Sequence, residues 1–322
     1  VDLDGDGHTD ILSGSYSRQE KSMAGTFHVL YGTKDGTFKK AVELKGTDGE
    51  PLIIPADDEE RMTDKICTRP FATDWDGDGH LDLVVGNFAG TFFWFKGEGK
   101  GKFAPKPEQI KGGDKPLKIT GVHSDPFVVD WDGDGDLDLV SGSSDGAVYW
   151  ADNTAGKGKV PTLKPFQVLV APAEDEWGKT GATFKPLRET DIKRPTYGVR
   201  VWVADINGDG KLDLLVGDST TLVTPAKGLS DEEMVKKAAE WQKEFEKAQA
   251  AMAPVQEAYM KEFREKKDGK EKKELTKEQK EAREKLEKEM RKASEEYSKL
   301  YQKRSEFVTE EMTGFVWLYV RK

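Results

Sequence analysis

Four stretches of this chain share a nine-residue pattern, D-x-[DN]-G-D-G-x-x-D, rich in the side chains that bind hard cations. The first places Asp2, Asp4, Asp6, His8 and Asp10 at positions 1, 3, 5, 7 and 9. The second places Asp74, Asp76, Asp78, His80 and Asp82 there, and the third Asp130, Asp132, Asp134, Asp136 and Asp138. The fourth reads Asp205, Asn207, Asp209, Lys211 and Asp213. Calcium takes six to eight oxygen ligands at roughly 2.3–2.6 Å. A tight loop with carboxylates at positions 1, 3, 5 and 9 turns four side chains toward one point. The glycine at position 6 permits the sharp turn. Position 7, which varies between His, Asp and Lys, is expected to contribute its backbone carbonyl and not its side chain. The chemistry implied is calcium binding at about four sites.

Asp and Gly are also ordinary turn formers. One copy of the pattern could be only a turn, but four copies with every carboxylate in phase require a further reason. The loops are not EF-hands. Position 12 holds Ser13, Val85, Ser141 and Val216 where Glu would be needed, and the flanks read as strands. Paired dockerin-like or thrombospondin-like calcium arrays space their loops far more closely. Nucleophile-elbow, zinc-protease and P-loop patterns are missing, so no catalytic residue is nominated. His28 and His123 are isolated, and Glu174–Trp177 reads as part of a long loop.

The elements that position the loops repeat with them. The motif starts are 72, 56 and 75 residues apart, a spacing suited to one supersecondary unit per repeat. An apolar strand precedes each later loop (Phe71–Asp74, Phe127–Asp130, Val201–Asp205), and another follows (Leu81–Gly86, Leu137–Gly142, Leu212–Gly217). A third begins at Gly25, Gly90 or Gly146, and a fourth is expected near Phe103–Ile110 and Phe166–Val170. Four antiparallel strands form the unit of a propeller blade. Trp75 and Trp131, next to the first loop Asp, are expected to pack between blades; Trp94, Trp150 and Trp317 fall on third strands and read as core.

These residues resemble the FG-GAP/VCBS repeats of calcium-binding β-propellers, related to those of integrin α-subunit heads and of many secreted bacterial proteins. The resemblance covers about 1–225 and 313–322. It implies an all-β fold: a β-propeller of six to eight blades, commonly seven, of which at least four are visible here. The chain opens inside a repeat, without Met, and the full molecule is expected to be longer.

The loops also act as a ruler. The third strand starts eight residues after the last loop Asp in two repeats (Asp82 to Gly90, Asp138 to Gly146). In the fourth, the matching Gly314 lies 101 residues after Asp213, so about 93 residues are inserted. The insertion, 229–312, is predicted to be an antiparallel α-helical hairpin of coiled-coil type. Ser230-Asp-Glu-Glu233 and Thr276-Lys-Glu-Gln279 are capping boxes, with a stop at Asp268-Gly269. Apolar residues step by three and four along both arms. Antiparallel pairing sets Met234 opposite Phe307, Trp241 opposite Leu300, Phe245 opposite Tyr297, Val255 opposite Leu286 and Phe263 opposite Gln279. Each pair of residue numbers sums to 541 or 542. Pro254 predicts a kink near Ala250–Pro254.

Charge follows the same division. The net charge is −10. The insertion carries 22 acidic and 21 basic residues, so nearly all the excess lies on the β part, whose loops hold 16 Asp. Four calcium ions would bring the chain close to neutrality. No basic stripe suggests nucleic acid, no apolar run is long enough for a membrane span, and the single Cys67 forms no internal disulfide. The expected function is a calcium-binding, non-enzymatic interaction or scaffold module, secreted or at the cell surface (extracellular or periplasmic). The hairpin would be its docking arm or a self-association device, and its ligand a protein or polysaccharide. The alternative is a carbohydrate-active enzyme, similar to a polysaccharide lyase, on a calcium-binding propeller.

Overall fold

The computed structural model describes residues 1–17, 23–55, 59–173, 185–267 and 277–322. Two units separate by compactness. The first comprises Val1–Glu174, Ile192–Thr220 and Thr313–Lys322; the second comprises Asp175–Asp191 and Thr221–Met312.

The first unit is built of antiparallel sheets that follow the loop repeat. Strands β1 (Ile11–Gly14), β2 (Phe27–Leu30) and β3 (Val42–Glu43) form a three-stranded sheet in chain order. The second sheet has β4 (Arg69–Thr73), β5 (Asp82–Gly86), β6 (Phe92–Phe95) and β7 (Glu108–Gln109). The third has β8 (Asp125–Val129), β9 (Asp138–Gly142), β10 (Val148–Ala151) and β11 (Gln167–Val170). In the fourth, β12 (Tyr197–Ala204) pairs with β13 (Asp213–Pro225). That strand pairs in turn with β14 (Val308–Thr313), which belongs, apart from Thr313, to the second unit, and with β15 (Val316–Tyr319). The expected fourth strand of the second sheet is only Glu108–Gln109, because Lys102–Phe103 pairs with Gly97–Gly99 instead.

Apolar cores lie between successive sheets. Leu83, Val85, Phe93 and Phe95 pack on Phe27, Val29 and Leu52 of the first repeat. Their neighbours in sequence, Val84, Phe92 and Trp94, point the other way, onto Val128, Leu139 and Tyr149. Val140 and Val148 then meet Val199, Leu214 and Val216. Strand side chains alternate between faces, and here both faces are covered. Continuous runs such as Phe92-Phe-Trp-Phe95 are therefore required where a half-exposed sheet would show alternation. Trp75 and Trp131 are buried in these cores as expected.

One glycine in each of the first three repeats allows the sheets to approach. A Cβ on Gly14 would collide with the carbonyl of Thr68, one on Gly86 with that of Ser124, and one on Gly142 with that of Val199. Each glycine sits at the same place, four residues after the last loop Asp, and each receives the start of the next repeat's first strand.

In the second unit, α1 (Asp231–Lys267) and α2 (Lys277–Gln302) pack together. The first capping box forms: Ser230 N donates to Glu233 Oε2 at 2.8 Å, and Glu233 N donates to Ser230 Oγ at 3.2 Å. The expected register is present at three of its pairs. Met234 and Phe307 share a core, Trp241 Nε1 donates to the Leu300 carbonyl at 2.7 Å, and the Phe245 and Tyr297 rings lie 4.9 Å apart. The helix α1 runs continuously through Pro254. The α-helical part of the second arm ends at Gln302, and a 3-10 turn over Lys303–Glu306 delivers Phe307. Thr276, Asp268-Gly269, Glu174–Trp177 and the Phe263–Gln279 side-chain pair lie outside the described residues. Within them, no helix is long and apolar enough to cross a membrane.

Gly86→Ala is expected to lower stability by about 1–3 kcal/mol through overpacking against Ser124, read as a fall in the urea midpoint with an unchanged slope.

Candidate metal centre

Each loop is folded by its own carboxylates. The position-1 Asp accepts from the amide of position 6: Gly7 to Asp2 at 2.9 Å, Gly79 to Asp74 at 3.0 Å, Gly135 to Asp130 at 3.0 Å and Gly210 to Asp205 at 2.9 Å. Position 3 accepts from the amide of position 5, with distances of 3.2, 3.3, 3.2 and 2.8 Å in chain order. Position 5 accepts from the amide of position 7, at 2.9, 2.9, 3.1 and 2.9 Å. The result is a ring of N–H donors holding carboxylates inward. Glycines at positions 4 and 6 all have positive φ, from 75° at Gly5 to 96° at Gly135. A left-handed residue with a Cβ costs about 1–2 kcal/mol, which explains glycine at both positions.

Position 9 does something different. Asp10, Asp82, Asp138 and Asp213 are buried, at 4%, 0%, 1% and 0% exposure. One oxygen accepts from the amide of position 2: Leu3 at 2.8 Å, Trp75 at 2.9 Å, Trp131 at 3.0 Å and Ile206 at 3.1 Å. The other accepts from an amide two residues beyond the third strand: Gly32 at 2.8 Å, Gly97 at 2.5 Å, Asn153 at 2.8 Å and Arg321 at 3.0 Å. This carboxylate clasps the loop to the end of the third strand. Burial pushes the carboxyls of Asp82 and Asp138 up to about 6, against the lowering effect of the amide donors.

Among the described residues, three groups of carboxylates offer oxygens within 4.8 Å of one another: Asp2, Asp4 and Asp6; Asp74, Asp76 and Asp78; and Asp130, Asp132 and Asp138. The expected ligands at positions 1, 3 and 5 thus converge in the first two loops. In the third, Asp138 joins positions 1 and 3, and Asp134 is outside the group. Asp10 and Asp82 stand apart from their trios, as clasps. In the fourth loop, Asn207 supplies an amide where the others have a carboxylate, and its Nδ2 donates to Asp209 Oδ2 at 3.1 Å. The side chains of His8, His80 and Lys211 belong to no group, while Asp136 accepts from Gly156 N at 2.9 Å. The residues fit a hard cation in two further respects. A carboxylate oxygen that accepts one amide keeps a second lone pair, and Asp74 Oδ1 and Asp136 Oδ1 are buried without a hydrogen-bond partner.

Sequence reasoning missed the second half of the clasp and the residues beside it. A signal existed. The clasp amide lies 15 residues after position 9 in the second and third repeats and 108 after it in the fourth, a difference that matches the inserted length of about 93. Also missed was a row on the first strands. Arg69, Asp125 and Arg200 pair with Gly86, Gly142 and Gly217, equivalent places in three repeats. Arg200 Nη1 donates to Asp125 Oδ1, and Arg69 Nη1 to the His123 carbonyl at 2.8 Å. Two residues on lies an aromatic row: Phe71 and Phe127 at 4.9 Å, Phe127 and Trp202 at 5.3 Å, with Trp202 exposed.

The family model of the FG-GAP-like repeat matches residues 74–141, from the first Asp of the second loop to the strand after the third. No curated protein matches the chain.

The two kinds of aspartate are separable by experiment. Asp82→Ala leaves two buried amides, of Trp75 and Gly97, unpaired, at about 1–3 kcal/mol each, and is expected to lower the melting temperature even in chelator. Asp132→Ala, which loses one exposed amide contact, is expected to leave the melting temperature in chelator within a degree or two of the parent.

Proposed function

We propose that this chain is a calcium-binding, non-enzymatic interaction or scaffold module, an arc of a β-propeller carrying a helical docking arm. The observation that carries the reading is recurrence: one carboxylate-and-amide loop occurs four times, and three of the copies gather three carboxylates within 4.8 Å. Closely spaced carboxylates repel one another, and a divalent cation removes that repulsion. Calcium suits the set because every donor is a hard oxygen and the loops present no thiolate. Support for the propeller comes from the antiparallel sheets taken in chain order, with a core between each successive pair. The FG-GAP-like match over 74–141 agrees with it.

The arm reading draws on the heptad rhythm of 229–312 and on a polar exterior laced with i,i+4 pairs such as Arg283–Glu287 at 2.7 Å. Millimolar calcium, as found outside cells, suits such loops, which supports an extracellular or periplasmic module. The partner would be a protein or a polysaccharide.

A second reading, a carbohydrate-active enzyme, rests on the Arg69–Asp125–Arg200 row beside the exposed Trp202. Guanidinium groups match carboxylates, and an indole face accepts a sugar ring. Turnover of an acidic polysaccharide by this chain, abolished in Arg200→Ala, would favour that reading over the first.

The calcium proposal has a direct test. A ligand at 100 times its dissociation constant adds about 2.7 kcal/mol per site. Removing calcium with chelator is expected to lower the melting temperature by many degrees, and calorimetric titration to return about four equivalents. A melting curve indifferent to chelator would overturn it.

A further inference from the structure

The residue just before the clasp amide differs in every repeat: Tyr31, Lys96, Asp152 and Val320. In the second repeat, Lys96 Nζ donates to Asp76 Oδ2 and, at 2.8 Å, to Asp78 Oδ2. These carboxylates are two of the three in that loop's trio. An ammonium of the chain's own thus occupies the oxygens that a metal would take, while the third member, Asp74, keeps a buried Oδ1 with no partner. In the third repeat the equivalent residue is Asp152, a carboxylate where the second repeat has an ammonium. Lys164 Nζ holds it at 2.6 Å, and Asp132 and Asp134 also act on that lysine. The Asp136 carboxylate of the same loop keeps one buried oxygen unpartnered. The first repeat presents the half-buried phenol of Tyr31, near Asp4 and Asp10. The fourth has Val320 at this place, and its loop already carries Asn207 and Lys211.

We propose that the residue preceding the clasp amide sets the cation affinity of each loop, with Lys96 a built-in competitor that makes the second loop a weaker divalent-cation site than the third. The inference rests on the calcium reading above. For a metal to bind the second loop, the ammonium must leave Asp76 and Asp78. Its side chain is 46% exposed, so it can withdraw into water. Lys96 therefore raises the cation concentration needed without blocking the site. The four loops fill in sequence: the third ahead of the second, and the second only at high calcium. One repeated fold then responds over a range of concentrations, where identical loops would respond at one.

Position 2 of the loop supplies the probe. It is Trp75 in the second loop and Trp131 in the third, but Leu3 and Ile206 in the others. Indole-sensitised terbium luminescence, with calcium as competitor, therefore reports the second and third loops. Two phases are expected in the full chain. The tight phase disappears in Trp131→Phe and the weak phase in Trp75→Phe. Lys96→Met should tighten the weak phase at least tenfold and leave the tight one unchanged, Lys96→Arg should keep the parent behaviour, and Asp152→Asn should loosen the tight phase. An unchanged weak phase in Lys96→Met, with an unchanged melting curve in chelator to show that the variant is folded, overturns the role of Lys96 while calcium binding stands. No sensitised emission, together with no heat of calcium binding, overturns the calcium reading itself.

Discussion

A buried aspartate at position 9 holds each repeat together. Its two oxygens take amides from places distant in sequence, one at the start of the Asp-rich loop and one past the end of the third strand. Each bond is a charge-assisted hydrogen bond between buried groups, contributing about 1.5–3 kcal/mol. Both must be made, because a buried carboxylate without donors is costly. The clasp therefore fixes loop and third strand together, and with them the register of the hairpin between. In the fourth repeat Arg321 N reaches Asp213 Oδ1 at 3.0 Å across 108 residues of sequence. The contact survives an insertion because it needs only a backbone amide at the end of the returning strand.

From that clasp the rest of the first unit follows. The strand after the loop is pinned at its beginning by the aspartate and at its end by a glycine on which the next repeat rests. Between those points both faces must be apolar, as Leu83, Val84 and Val85 show by pointing alternately into two different cores. Stacking thus propagates from sheet to sheet, the second and third repeats each supplying half of two cores and the whole of neither.

The sequence revealed the parts of this design that depend on side-chain identity repeated at fixed spacing. The four loops, the glycine turns, the inserted length and the Trp241–Leu300 register of the helical pair were all legible, because each leaves a periodic trace. Partnerships with backbone amides leave none. Gly32, Gly97, Asn153 and Arg321 share a role and no chemistry, since any residue with an N–H can serve. From sequence, position 9 reads only as one more metal ligand; the structure shows all four as clasps, with Asp138 also a member of its loop's trio. Lys96 was invisible for a similar reason: it belongs to the third strand's exit, outside the motif, and its equivalents are Tyr, Asp and Val. The Arg69–Asp125–Arg200 row was hidden because charge alternates along it and no two neighbours match.

The amide ring also separates folding from tuning. Since the backbone donors at positions 5, 6 and 7 are the same in all four loops, they hold the carboxylates at similar geometry whatever the flanking residues are. Apart from Asn207 at position 3 of the fourth loop, differences among the loops then come from side chains outside the ring. Lys96 on Asp76 and Asp78, and Asp152 held by Lys164 beside Asp132 and Asp134, are such side chains. A substitution at either place changes the charge facing a preformed loop and leaves the clasp intact. A repeat built this way can vary in what it binds, and how strongly, without renegotiating its fold, because the aspartate that folds the loop and the residues that tune it are different residues.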